Sequence, residues 1–255
     1  MQAVRKLRAS LLEGSEQAMI RITPHPRWVE DFLRSIAPDH ERVINHQVFK
    51  DIKRGAFTKK QFQGTLTSAY PLIESFPKYM ALTLAKVPPG RSEWSVKTRD
   101  WLITNMEQER LHARWWGQFA AGFGVPLEKF DSEIYPPPEM DAINNYLWRV
   151  CTYGSLAEAI SAANFAVEGV TGEWTKNVRE GIENYRGVED IDISERTLKW
   201  ITAHAHYDDR HPEEALEIVK AYATTIEEQM TVSRAAKRTL EYYAMALDVC
   251  YRIYK

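Results

Sequence analysis

Apolar residues recur every three or four positions through long stretches of this chain, the stretches end at proline and glycine, and almost nothing alternates as a strand does. That pattern predicts an all-α protein with its loops at the proline-rich joints. Pro26 opens a helix over WVEDFLRSI, and Pro38 with Asp39 starts a second over ERVINHQVFKDIKR, which Gly55 ends. Thr58 caps KKQFQGTLTSAYPLIESFPKYMALTLAKV, a segment that holds Pro71 and Pro77 and should be kinked. A helix from Ser92 to Phe123 follows, stopped by Gly124 and Pro126. YPPPEMDAINNYLWRVCTYG gives the next. Ser155 begins another whose Ala, Gly and Ser spacing invites close approach of a neighbour. Ser194 with Glu195 caps SERTLKWITAHAHYDDRHPEEALEIVKAYA, and a last helix starts at Ile226. The expectation is one bundle of about seven to eight helices over residues 23–255, preceded by a mobile extension over 1–22.

Composition narrows the function classes. A chain of 255 residues with 44% hydrophobic content can bury a large core as one domain. Its formal net charge of -2, with no Lys/Arg stripe interleaved with aromatics, implies neither a nucleic acid nor an anionic membrane as partner, and leaves a small molecule. Cys151 and Cys250 are far apart and outside any CxxC spacing, which argues against a disulfide framework or thiolate metal site and for a soluble protein of the cytoplasm. No GxGxxG or GxxxxGK loop is present. The 8 Trp, 12 Tyr and 9 Phe suit a domain that walls off a cavity, with Tyr70, Phe76, Met80, Tyr153 and Phe165 as candidate substrate contacts. The same aromatic and Met face of the third helix reads equally well as plain core.

The chemistry concentrates in the histidines. Of seven, His25, His40, His46, His112, His204, His206 and His211, three stand at helical spacing from carboxylates inside otherwise apolar segments. Glu109-x-x-His112 puts a carboxylate and an imidazole on one helix face, the i, i+3 device by which helical bundles present metal ligands to their interior. His204, Asp208 and His211 step by four and then three residues, which keeps them within an arc of about 40° to 60°. Glu168, embedded in the apolar face NFAVEGVTGEW, is the sixth candidate, because a buried carboxylate needs a positive partner. His206 and Asp209 fall on other faces, and Glu107 and Glu173 are off register with Glu109 and Glu168. Three carboxylates and three neutral imidazoles without sulfur suit iron or manganese, and six ligands are too many for one catalytic ion, so two ions are expected. Two ferrous ions carry +4 against -3 from the carboxylates, and the residual positive charge favours an acid as substrate.

These residues bring the chain close to a known group. AVEGVTGEW around Glu168, LKWITAHAHYDDRHPEEALEI around His204 to His211, NMEQERLHARWW and ESFPKYMALTLAK resemble the haem-oxygenase-like di-iron oxidases, most closely the UndA-type fatty-acid decarboxylases. The resemblance runs from about Pro26 to Ile218. It implies the haem-oxygenase-like (TenA/PqqC-like) bundle, two Fe ions held by Glu109, His112, Glu168, His204, Asp208 and His211, and O2 as co-substrate. No catalytic residue beyond the ligands is expected. The implied reaction is oxidative decarboxylation of a medium-chain fatty acid to a terminal 1-alkene in a homodimer, with an external electron donor. Two other readings stay open: a di-iron oxidase of an amino acid or a protein tyrosine, and a metal-free TenA-like regulatory or binding protein.

Overall fold

The computed structural model describes residues 20–206 and 210–255, and of His206 only the backbone. Among the described residues every regular element is a helix. Helix α1 is Arg27–Ile44, α2 Gln47–Lys53, α3 Lys59–Leu84, α4 Glu93–Glu109, α5 His112–Gly122, α6 Pro138–Tyr153 and α7 Leu156–Ile160. A π-helical turn over Ser161–Val167 joins α7 to α8, Glu168–Gly181. Helices α9 (Lys199–His206), α10 (His211–Tyr222) and α11 (Ile226–Ile253) complete the chain.

The long α11 is the hub. It packs on α6, on the π turn and on α1, while α3 lies against α4, α5 and α6, and α8 is flanked by α2 and α9. One continuous core results, with Phe62, Tyr79, Phe123, Leu147, Ile160 and Trp200 among its largest fully buried side chains. The close approach of α8 to α2 depends on Gly181, where a Cβ would stand 2.4 Å from the Cα of Lys53. Gly124, at φ +81, ends the run of α5 in the left-handed conformation expected of a helix stop. Thr58 forms a capping box with Gln61, as do Ser155 with Glu158 and Thr225 with Glu228.

Four boundaries differ from the sequence reading. Helix α1 continues through Pro38 and breaks only at Asn45 and His46, because Val29, Phe32, Ile36 and Val43 form one buried stripe across the proline. The His46 side chain then accepts the Val48 amide and caps α2. The segment from Ser92 to Phe123 is two helices, divided at Arg110 and Leu111. Ser194 Oγ takes the amide of Thr197 rather than pairing with Glu195, and regular helix begins only at Lys199. The described part of that helix reaches His206, and after Arg210, which is not helical, α10 begins at His211 with Pro212 in its first turn, where a missing N–H costs nothing. Of the expected N-terminal extension, Ile20 is described, and it is buried in the core. Thr23 is bound to α10 through its amide and hydroxyl, which both donate to the Glu217 carboxylate at 2.8 Å.

Candidate metal centre

Three of the expected ligands converge where α4, α5 and α9 meet. One ligand atom each from Glu109, His112 and His204 lies within 4.8 Å of the others. Glu109 is the last residue of α4 and His112 the first of α5, and the break between them leaves Glu109 Oε2 2.5 Å from His112 Nδ1. His112 is 2% exposed, and among the described residues neither ring nitrogen makes a well-formed hydrogen bond, the approach of Glu109 to Nδ1 included. Buried polar atoms in that condition are rare and costly, which is the signature of a group that waits for a partner.

His204 shows how the chain prepares a ligand. Its Nδ1 lies 2.8 Å from the carbonyl of Trp200, and since a carbonyl can only accept, Nδ1 carries the proton and Nε2 keeps its lone pair. Burial first, and then the neighbouring His112, push the His204 pKa down to about 4 against the opposing pull of Glu109 and the Trp200 carbonyl. The ring is therefore neutral at physiological pH, as a metal ligand must be. Its ring lies 4.7 Å from that of His112 and 3.9 Å from that of Trp200, centroid to centroid.

A second pair stands at the start of α8 and α10. His211 Nδ1 is 3.6 Å from Glu168 Oε2, and Glu168 Oε1 accepts the Asn164 side-chain amide at 2.8 Å. Asn164 belongs to the π turn that ends at Val167, so the extra residue in that turn aims both groups. Burial lowers the His211 pKa as well, with Glu214 and Glu109 pulling upward and His112 downward. His211 thus senses Glu109 and His112, and His204 in turn senses His211. Trp101 closes this side edge-on to His211 at 6.4 Å, its indole N–H held by Glu214 at 2.8 Å.

The structure accordingly brings together Glu109, His112 and His204, and beside them Glu168 and His211. Asp208 lies outside the described residues, as does Asp209. Glu107 pairs with Arg110 at 2.9 Å and Glu173 with His40 at 3.2 Å, away from both groups. The donor set fits a first-row metal ion. Ligand atoms sharing one ion at about 2.1 Å stand roughly 3 to 4 Å apart, so the 4.8 Å spread closes with side-chain rotations of less than an ångström or so.

Adjoining the cluster is an enclosed, almost wholly apolar cavity of about 90 Å³, bounded by α2, α3, α5, α8, α9 and α11. Trp200, whose ring lies 3.9 Å from that of His204, is in the lining with Trp116, Val167 and Thr171, and among the described residues no Lys, Arg, Asp or Glu lines it. Phe76 is in the lining. Met80 is buried in the core, Tyr70 packs on Phe130 beside an outer cleft, and Phe165 faces a separate groove with His40 and Pro212. Tyr153 is 83% exposed. The residues that sequence reasoning missed are Trp200, Asn164 and Glu214. Two of them were legible, because each precedes a ligand by one helical turn: Trp200 before His204 and Asn164 before Glu168.

Comparison with known proteins agrees with the fold. Among solved structures, the chain is similar to a TenA homologue from Pseudomonas syringae pv. tomato, with TM-score 0.83, 28% identity, and 91% of this chain and 99% of that one covered. A domain of unknown function with a heme oxygenase-like fold from Shewanella denitrificans superposes with TM-score 0.71 at 19% identity, over 89% and 93% of the two chains. A TenA homologue from Pyrococcus furiosus gives TM-score 0.67 at 17% identity over 88% and 100%. No curated protein matches. The family model of iron-containing redox enzymes of the haem-oxygenase type matches residues 63–244, which include Glu109, His112, Glu168, His204 and His211. With well over half of its length in that match and its ligand cluster inside it, the chain belongs to the haem-oxygenase-like family of iron-containing redox enzymes.

Proposed function

We propose that this protein is a non-haem di-iron oxidase that uses O2 to act on a carboxylic acid, and specifically that it decarboxylates a medium-chain fatty acid to a terminal alkene. The observation that carries the reading is the adjacency, through Trp200, of a cluster of histidines and carboxylates to an apolar cavity. Glu109, His112 and His204 would hold one ion, and Glu168 and His211, with Asp208, a second. Iron bound there supplies the activation of O2. The chain's own residues do the rest: His204 is held in the metal-binding tautomer by the Trp200 carbonyl, Asn164 orients Glu168, and the cavity walls exclude water from the chain of the acid.

Polarity favours a fatty acid over an amino acid or a tyrosine. The lining has no carboxylate to receive an ammonium group and no cation, so the only place where a carboxylate finds positive charge is toward the ligand cluster. The electron count sets a further requirement. Removing CO2 and two hydrogens from the acid yields two electrons and two protons, whereas reducing O2 to two waters takes four of each. An external donor must therefore provide the difference, together with two protons.

The test is to load the protein anaerobically with Fe(II), add a reductant, O2 and saturated acids of roughly ten to fourteen carbons, and assay the headspace for the alkene one carbon shorter. Absence of alkene across the series sinks the decarboxylase. Iron uptake separates the remaining alternative: near two equivalents, lost on His204→Ala, supports the metal centre, and no uptake at all supports a metal-free regulatory or binding protein.

A further inference from the structure

We infer that the indole N–H of Trp200 is the hydrogen-bond donor that fixes the oxygen end of the cavity's ligand, which makes Trp200 a positioning residue for the head of the acid. The inference rests on the fatty-acid reading above. Four interior tryptophans differ in one respect. Trp101 Nε1 donates to Glu214, Trp116 Nε1 to the Leu66 carbonyl and Trp174 Nε1 to the Tyr243 hydroxyl, at 2.8, 2.7 and 2.9 Å. Trp200, 2% exposed, has no acceptor for its Nε1 among the described residues. A buried N–H in that state is unfavourable unless something else fills the gap.

The surroundings say where the acceptor must come from. The Trp200 ring is boxed by His204 at 3.9 Å, Trp116 at 4.6 Å and Trp174 at 5.8 Å, and Trp200 is among the residues that line the cavity. Solvent does not reach it and no described residue accepts from it, so a molecule in the cavity is the source of the acceptor. The other polar groups at that end are already engaged: Thr171 Oγ1 donates to the Val167 carbonyl, and the Tyr243 hydroxyl receives Trp174. Thr65 Oγ1, also unpaired by geometry, has the Cys250 thiol as a neighbour and belongs to the α3–α11 side. A volume of about 90 Å³ takes only the first few carbons of an acid, so the walls must part for the rest of the chain; with its head between Trp200 and the candidate histidines the acid satisfies the indole N–H. The charge on the head strengthens that bond.

The experiment measures binding, without turnover, to the full-length protein loaded with Fe(II) under nitrogen. Dodecanoate is compared with 1-undecene, which has the same chain and no acceptor, in the wild type and in Trp200→Phe. The expected result is a roughly 10- to 100-fold weaker dodecanoate affinity in the variant, with the 1-undecene affinity changed less than about twofold. Dodecanoate affinity within about twofold of wild type overturns the inference, and so does an equal loss for both ligands, which would mark a packing role. Should Trp200→Phe fail to fold, the assigned indole N–H resonance of Trp200 in the Zn(II)-loaded wild type serves instead. It is expected to move downfield with dodecanoate and not with 1-undecene, and a resonance indifferent to dodecanoate overturns the inference. If neither ligand binds, the inference and the fatty-acid reading fall together. If dodecanoate binds through Trp200 and no alkene forms, only the reaction proposed above fails.

Discussion

Replacing Asn164 by Leu should separate the stability of the metal centre from that of the fold. Asn164 is fully buried in the π turn, and its Nδ2 donates at 2.8 Å to Glu168 Oε1, while its Oδ1 has no hydrogen-bond partner among the described residues. Two contributions oppose each other in the metal-free protein. Losing a hydrogen bond to a charged group costs about 1.5–3 kcal/mol, whereas removing an unsatisfied buried carbonyl returns about 1–3 kcal/mol. Leu is close to Asn in size, so no large cavity is added, and the unfolding free energy in urea should stay within about 1 kcal/mol of wild type. Iron binding has no such compensation. Glu168 loses the group that fixes its orientation, and the affinity of the ion it serves should fall about 10- to 100-fold. Anaerobic titration of Fe(II) against a colorimetric chelator reads this directly, with the tighter and weaker equivalents resolved. An unchanged affinity for both equivalents would refute the reasoning, since it would mean that Glu168 needs no help from the π turn or does not bind metal.

Other perturbations follow from the same coordinates. His112→Leu removes the imidazole that faces Glu109 and should abolish any Fe(II)-induced rise in melting temperature; scanning calorimetry with and without Fe(II) checks it. Burial pushes the Glu217 carboxyl up, but bonds from Lys220 and from the amide and hydroxyl of Thr23 outweigh it and hold it below the ordinary value of 4.5. The stability it contributes is present above that value and lost as pH falls through its folded-state pKa. Glu217→Gln should therefore cost about 1–3 kcal/mol at neutral pH and flatten the acid limb of the curve, and parallel urea-derived curves for the two proteins would contradict this. Ala69→Phe, which adds a ring to the cavity wall, should weaken dodecanoate at least about tenfold, while Tyr153→Ala, on an 83% exposed side chain, should leave it within about twofold; calorimetric titration compares them.

Much of the bundle was legible because its signals are local. Thr58, Ser155 and Gly124 punctuate the chain as their side chains or their lack of one dictate, and α11 starts where its capping box stands. Pro38 misled for a reason that is not local: the proline removes one hydrogen bond, but the stripe Val29, Phe32, Ile36 and Val43 spans it, and burial of that stripe outweighs the loss. The cavity was hidden for a related reason. Phe76 and Met80 are four residues apart on α3 and read alike in sequence, yet Phe76 lines the cavity and Met80 is solid core, because the difference is set by α5, α8 and α11 and not by α3.

The candidate ligand residues stood out in the sequence while the backbone breaks beside four of them, Glu109, His112, Glu168 and His211, did not, and the two facts have one explanation. Glu109 ends α4 and His112 begins α5, Glu168 is the first residue after the π turn, and His211 begins α10 beside Pro212. Each lies at an interruption of a segment that apolar periodicity reads as one helix. Periodicity reports where a segment is buried, and the buried face continues across the interruption, so the spacing of carboxylate and imidazole survives. An interruption, however, redirects side chains by more than rotamer choice alone permits, since χ1 in an unbroken helix is confined to two wells that point back along the axis. At Leu111 the backbone departs to φ -100, ψ -12, and that departure leaves Glu109 facing His112 across the break. An unbroken helix would also set residues 109 and 112 side by side as i, i+3 neighbours, but with both side chains confined to helical rotamers. A Leu111→Ala variant, which raises local helix preference by a few tenths of a kcal/mol, should thus loosen the Glu109–His112 pair and weaken the first iron by a few-fold, without touching any atom of the ligands. Retention of full affinity in that variant would show that the ligands organise the break and not the reverse.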